Sequence, residues 1–247
     1  MTTARNGGSQ MRLSAPIYRL KRQAKLLSRR TGVPLNEALN QIAKEEGFDS
    51  WSLLASRYAS KRPASHILSE LEPGDLVLLG ARPEHGKTLM ALELITEAMK
   101  GGAEGAFFTL DYNEADVLHR LQAIGSDTQN LSDVFMLDTS DDIDAHHIIE
   151  RLKQKPRGTV VAIDYLQILD QRRNSPEINQ QIAALRRFAK EVGHIIILIS
   201  QIDRKYELAA DDLPTLADVR TPNPVDLSLF TKSCFLSEGE VKLEAVA

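Results

Sequence analysis

Between residues 75 and 200 the chain alternates continuously apolar runs with stretches in which apolar residues recur at every third or fourth position. The runs predict strands over 75–80, 104–110, 133–137, 158–164 and 194–200, and the periodic stretches predict helices over 87–100, 113–124, 142–154 and 176–191. Val160-Val161-Ala162-Ile163 and Ile195-Ile196-Ile197-Leu198-Ile199 carry no polar alternation. Such runs belong to strands of a parallel sheet covered by helices on both faces. The order of elements therefore predicts an α/β body. From Leu227 onward the pattern changes to short strands around Ser237-Glu238-Gly239-Glu240, which predicts a closing hairpin.

Ahead of this body the periodicity is helical. Ile17, Leu20, Ala24 and Leu27 mark one face of a helix over 15–30, with Arg19, Arg22, Lys25 and Arg29 on the other. Gly32 and Pro34 mark a stop and a restart. Leu35, Ala38, Leu39, Ile42 and Ala43 predict a second helix that Gly47 ends, and Asp49 is the expected cap of a third, from Ser50 to about Tyr58. The expected organisation is a disordered tail over 1–13, a basic three-helix unit over 14–60, a linker over 61–66 and a body over 67–247. A unit this short is expected to dock on the body or on a neighbouring subunit.

Composition narrows the class. Cys234 is the only cysteine among 247 residues, which excludes an internal disulfide and a cysteine-built zinc site. Met1 to Ser14 lacks an apolar signal core, and no stretch approaches the roughly 18 apolar residues of a membrane span. A cytoplasmic protein without a membrane partner is expected. The net charge of −4 hides an asymmetry: up to Pro63 there are twelve Lys and Arg against Glu37, Glu45, Glu46 and Asp49, or +8, which leaves −12 for the rest. Either the basic head meets something anionic, such as nucleic acid or an acidic protein surface, or it is a solvated helix face.

The candidate chemistry starts at Gly80-Ala81-Arg82-Pro83-Glu84-His85-Gly86-Lys87-Thr88, which follows a predicted strand and opens a predicted helix. In that context the stretch reads as a phosphate loop, whose cofactor would be ATP with Mg²⁺. Backbone N–H groups from Ala81 to Thr88 would wrap the phosphates, the helix would aim its positive end at them, Lys87 would reach the terminal phosphates and the Thr88 hydroxyl suits Mg²⁺. Asp164 ends an apolar strand, so its carboxylate is expected beside Thr88 at the carboxyl edge of the sheet as a second metal-orienting group. Asp111 ends the neighbouring strand and is the candidate base that orients the attacking water. Gln201, after the strand 195–200, is a candidate sensor of the terminal phosphate or a turn former.

Ala81-Arg82-Pro83 leading into Gly86-Lys87-Thr88, then Phe108-Thr109-Leu110-Asp111, Ile163-Asp164-Tyr165-Leu166-Gln167, Ser200-Gln201-Ile202-Asp203-Arg204 and Leu216-Ala217-Asp218-Val219-Arg220 follow one another in this order. The set resembles the ordered motifs of the DnaB-type replicative helicases, members of the RecA-like ATPases, over about residues 65–235. The resemblance implies a RecA-like P-loop NTPase fold with a mainly parallel sheet and an Mg-dependent ATPase with a nucleotide site at a subunit interface. It also implies a homo-oligomer, with a hexameric ring around single-stranded DNA as the family's form. After the proposed sensor, where the family places a DNA loop, Arg204 and Lys205 are the candidate contacts, although Glu207, Asp211 and Asp212 follow them.

Two departures stand out. The family places a glutamate where this chain has Asp111, and Lys232-Ser233-Cys234 stands where its Lys-x-Arg finger is expected, without the arginine. Both predict slow hydrolysis. The alternative is a nucleotide-switched, largely non-hydrolytic regulator that binds DNA or protein. His146 and His147 are expected on a helix surface.

Overall fold

The computed structural model describes residues 14–15, 17–54, 63–82, 86–126, 131–170, 176–202, 214–219, 223–237 and 240–246. The chain divides into two compact units, Met1–Lys61 and Arg62–Ala247. The expected tail over 1–13 lies outside the described residues.

In the first unit, α1 (Ile17–Thr31) and α2 (Leu35–Glu45) are followed by helical residues 51–54, here α3. Leu20 and Ala24 of α1 bury against Ala38, Ile42 and Ala43 of α2, and Phe48 and Leu54 close this small core. The third helix is capped by Ser50 rather than by Asp49: the Ser50 hydroxyl accepts from the Leu53 N–H at 3.2 Å. The part of it expected beyond residue 54 lies outside the described residues.

The second unit begins with α4 (Pro63–Ser69), so residues 63–66, expected as linker, form the first turn of a helix that buries Ala64 and Ile67. Strands β1 (Leu76–Ala81), β2 (Gly105–Thr109), β3 (Phe135–Asp138), β4 (Val160–Asp164), β5 (Ile195–Gln201), β6 (Lys232–Ser237) and β7 (Glu240–Ala245) form one sheet in the order β3-β2-β4-β5-β1-β6-β7. All neighbours are parallel except β6 and β7. The connecting helices are α5 (Lys87–Lys100), α6 (Glu114–Ala123), the single turn α7 (Leu131–Val134), α8 (Ala145–Leu152) and α9 (Ile178–Val192). They leave one apolar cluster on each face of the sheet, because parallel strands carry apolar side chains on both sides. The expected hairpin is present, with its first strand β6 lying in register beside β1. The predicted strand over 133–137 is shorter, since Asp133 and Val134 belong to α7.

Gly80 lies within β1 rather than in the loop after it, with Phe235 of β6 as its register partner. A Cβ at Gly80 would meet Phe235 Cε1 at 2.6 Å, so only glycine admits the aromatic ring there. Among the described residues, no helix is long and apolar enough to cross a membrane.

Candidate functional site

Parallel strands all deliver their carboxyl ends to one rim, and register decides which side chains meet there. Thr109 of β2 pairs with Asp164 of β4, and Ala81 of β1 pairs with Gln201 of β5. Between β1 and the rim, Gly86 adopts φ 81°, a left-handed conformation that glycine takes without Cβ strain, and α5 opens directly after it at Lys87. The helix begins without a side-chain cap. Its first N–H groups and the positive end of its dipole are thus presented at the rim, an arrangement suited to an anion. Pro83, Glu84 and His85 lie outside the described residues, whereas Ala81 is buried at the end of β1 and Arg82 follows it half-buried.

Thr88 and Asp164 come together as expected. The Thr88 hydroxyl donates to Asp164 Oδ2 at 2.7 Å, with the two residues only 8% and 2% exposed. Burial holds the Asp164 carboxyl above the ordinary carboxylate range. The Thr88 hydrogen bond and the charges of Lys87 and Arg120 oppose that rise, and the charge of Asp111 adds to it. A buried, incompletely compensated carboxylate beside a hydroxyl is a hard-oxygen pair whose chemistry suits Mg²⁺. The Asp164–Tyr165 peptide is cis.

Asp111 is exposed at the same rim, and its N–H donates to Thr109 Oγ1 at 3.1 Å. The fully buried Thr109 thus ties the segment carrying Asp111 to the end of β2. Glu114 is exposed in the first turn of α6, which Asn113 and Asp116 close with a capping box. Gln201 is half-buried at the end of β5, and the next residue, Ile202, donates its N–H to Ala81 O at 3.2 Å and bridges to Val219. The bridge joins the two residues that flank the segment 203–218, one of them next to the candidate sensor. Arg204, Lys205 and Arg220 lie outside the described residues, as does the side chain of Arg19.

One residue near the rim escaped sequence reasoning. Arg120 reaches back from α6 so that its guanidinium lies 4.4 Å from the centroid of the Tyr112 ring, and its charge acts on Asp164. Its position six residues into a helix gave no periodic signal for a role at the rim. Ser200 is the register partner of Gly80, and its buried hydroxyl has no hydrogen-bond partner among the described residues.

Lys232 is placed away from this rim. It opens β6 opposite Val77, four residues before Ala81 along β1, or about 13 Å at ~3.3 Å per residue. Its Nζ is held by Asp75 Oδ2 at 2.8 Å and by the carbonyl oxygen of Glu70 at 2.5 Å. The Lys232 amine is therefore committed to an ion pair within its own chain. His147, expected as a surface residue, is half-buried and contacts Asp138 Oδ2 through Nε2 at 2.9 Å, and Arg151 Nε lies 3.2 Å from the same oxygen. Ser140 adds its N–H and hydroxyl to Asp138; burial works to raise that carboxyl, and the His147 and Ser140 contacts outweigh it and hold the group below its ordinary range.

A family model described as the DnaB-like helicase C-terminal domain matches residues 64–132 and 122–226. The chain belongs to that family. Replicative DNA helicase DnaB of Leifsonia xyli subsp. xyli is 27% identical over 191 residues, covering 65% of this chain and 42% of the relative. The corresponding protein of Geobacillus stearothermophilus is 28% identical over 194 residues, with 65% and 42% covered. A probable plasmid replicative DNA helicase of Chlamydia muridarum is 25% identical over 188 residues, with 63% and 41% covered. The match thus spans well under half the length of these DnaB-like relatives. Among solved structures, a DnaB-like replicative helicase described with its interactions with primase superposes with a TM-score of 0.58 at 19% identity, covering 93% of this chain and 72% of that one. A KaiC-like protein of Pyrococcus horikoshii superposes with a TM-score of 0.51 at 19% identity, covering 72% and 84%. The α/β body therefore has the RecA-like fold of the DnaB-type ATPase domains.

Proposed function

We propose that this protein binds Mg-ATP at the rim formed by β1, β4 and α5 and hydrolyses it slowly, in a cytoplasmic assembly that acts on DNA. The buried Thr88–Asp164 pair at the start of α5 is the observation that carries the reading. Lys87 would reach the terminal phosphates, and the N–H groups of the loop from Ala81 to Thr88 would cradle the chain of phosphates. Thr88 and Asp164 would hold a divalent ion, which supplies charge neutralisation on the phosphate oxygens when bound. Asp111, on the segment tied to Thr109, would accept the proton of an attacking water. Its side chain is one methylene shorter than the family's glutamate, which supports slow turnover.

Membership of a family whose relatives are named replicative DNA helicases supports DNA as the substrate and a homo-oligomer, with a hexameric ring as the form to test. Isothermal titration of the whole chain with Mg-ATP tests the core of the proposal. Micromolar binding that Lys87→Ala removes is expected, and absence of ATP affinity in the unaltered chain would refute it.

A second reading is favoured by the placement of Gln201. Ile202, directly after it, is bridged to Val219, so a response of Gln201 to a terminal phosphate would pass into the segment 203–218. Nucleotide would then act as a switch and the protein as a regulator. A large stimulation of ATP turnover by single-stranded DNA, with unwinding of a tailed duplex, would decide for the motor instead.

A further inference from the structure

The first unit, outside the matched residues 64–226, carries a second charged surface. Helix α1 has the sequence IYRLKRQAKLLSRRT, with six cations and no acid. Its apolar side is spent on the unit's own core through Leu20 and Ala24. Lys21, Arg22, Lys25, Arg29 and Arg30 are exposed. Lys21, Lys25 and Arg29 stand at i, i+4 and i+8, one row along the helix with about 6 Å of rise between members. Among the described residues no hydrogen bond or ion pair engages their side chains or that of Arg30. Of the unit's four acids, Glu46 is taken by Ser14, which donates its N–H at 2.7 Å and its hydroxyl.

Such a face works against the helix that carries it. Like charges at i, i+4 repel, and cations near the helix start oppose the dipole. A face kept only for solubility would mix the two signs. A polyanion relieves the repulsion all along the row at once and gains entropy from released counterions. A protein partner fits less well, because protein interfaces deplete lysine at their centres, and among the described side chains of α1 the row has only Leu26 as an exposed large apolar neighbour.

We infer that the exposed face of α1, with Lys21, Arg22, Lys25 and Arg29 at its centre, is a nucleic-acid binding surface that contacts the phosphate backbone. It requires no base readout and does not depend on the nucleotide site. The first unit thereby supplies its own grip on the nucleic acid.

The test uses the full chain with Lys21, Lys25 and Arg29 each replaced by Gln, a residue of similar helix propensity. Binding of labelled single-stranded and duplex oligonucleotides is measured across a salt series. The slope of log affinity against log salt is expected to fall by about 2 to 3, with at least a tenfold loss of affinity at low salt. A charge-preserving variant, with Lys21→Arg, Lys25→Arg and Arg29→Lys, is expected to keep both. Far-ultraviolet circular dichroism and Mg-ATP affinity serve as controls and are expected to be unchanged, so that failure of the nucleotide reading shows up separately. Unchanged affinity and slope in the Gln variant would overturn the inference, as would an unaltered chain that binds neither oligonucleotide. A fall in assembly mass without loss of nucleic-acid affinity would also overturn it, identifying the face as a contact between copies.

Discussion

Thr88 and Asp164 lie 76 residues apart in sequence, yet the hydroxyl of one donates to the carboxylate of the other across 2.7 Å at the rim of the sheet. With burial raising the Asp164 pKa, the folded chain takes up that proton at a higher pH than the unfolded chain does. Ionised Asp164 therefore costs the nucleotide-free fold stability at neutral pH, and the cost is relieved as pH falls through the raised pKa. Asp164→Asn is expected to raise the melting temperature of the nucleotide-free protein at neutral pH. It should also abolish the stabilisation by Mg-ATP, about 2.7 kcal/mol for the unaltered chain at a hundredfold excess over Kd. Differential scanning calorimetry with and without nucleotide checks both parts, and a variant that melts lower without nucleotide counts against the account.

Arg120 opposes the rise of the Asp164 pKa. Removing its charge by Arg120→Gln is expected to push that pKa higher still. On acidification the variant should lose Mg-ATP affinity at a higher pH than the unaltered protein. Titrations at a series of pH values test this, and superimposable profiles would remove Arg120 from the electrostatics of the rim.

Restoring a methylene at Asp111 should restore rate. Asp111→Glu is expected to increase turnover at least tenfold with Kd for ATP little changed, since misplacing a catalytic group by about an ångström costs on the order of a hundredfold. Asp111→Asn should reduce turnover below that of the unaltered chain. Steady-state phosphate release reads both, and a lower rate in the glutamate variant would mean that the segment tied to Thr109 already places the aspartate well.

The Gly80–Phe235 contact makes a prediction about stability. Gly80→Ala forces a Cβ into the ring and is expected to cost about 1–3 kcal/mol in urea unfolding. Phe235→Leu in the same chain should recover part of that loss, a coupling that a double-mutant cycle measures. Additive effects would show that the ring moves aside freely.

Lys232→Met is expected to lower stability by about 1–3 kcal/mol, because Asp75 loses its cation while keeping the Thr231 hydroxyl and the Glu72 N–H as donors. ATP turnover per folded chain should stay unchanged. A loss of turnover at full stability would instead assign the lysine to a neighbour's phosphate.

The sheet was legible because buried parallel strands announce themselves as unbroken apolar runs, and a strand end followed by a polar residue locates the rim. Asp164, Asp111 and Gln201 were placed at the strand ends on that basis. A residue whose place depends on three-dimensional return was not found: Arg120 folds back over Tyr112 from mid-helix. The intrachain partners of Lys232 were not legible, because a motif position says nothing of which end of a strand carries it. Only the pairing of β6 with β1 revealed that its amine sits at the far edge. The helical start of the body at α4 was missed because Pro63 reads equally as a linker residue and as the first residue of a helix.

The matched family region ends at residue 226, whereas the sheet continues through β6 and β7 to Ala245. A fragment cut at the family boundary would strip β1 of β6, one of its two neighbours, and leave it as an unguarded border, offering free N–H and C=O groups from an apolar strand to any passing chain. The closing hairpin thus acts as a seal on the strand that leads into the phosphate loop, and shortened versions lacking it should precipitate.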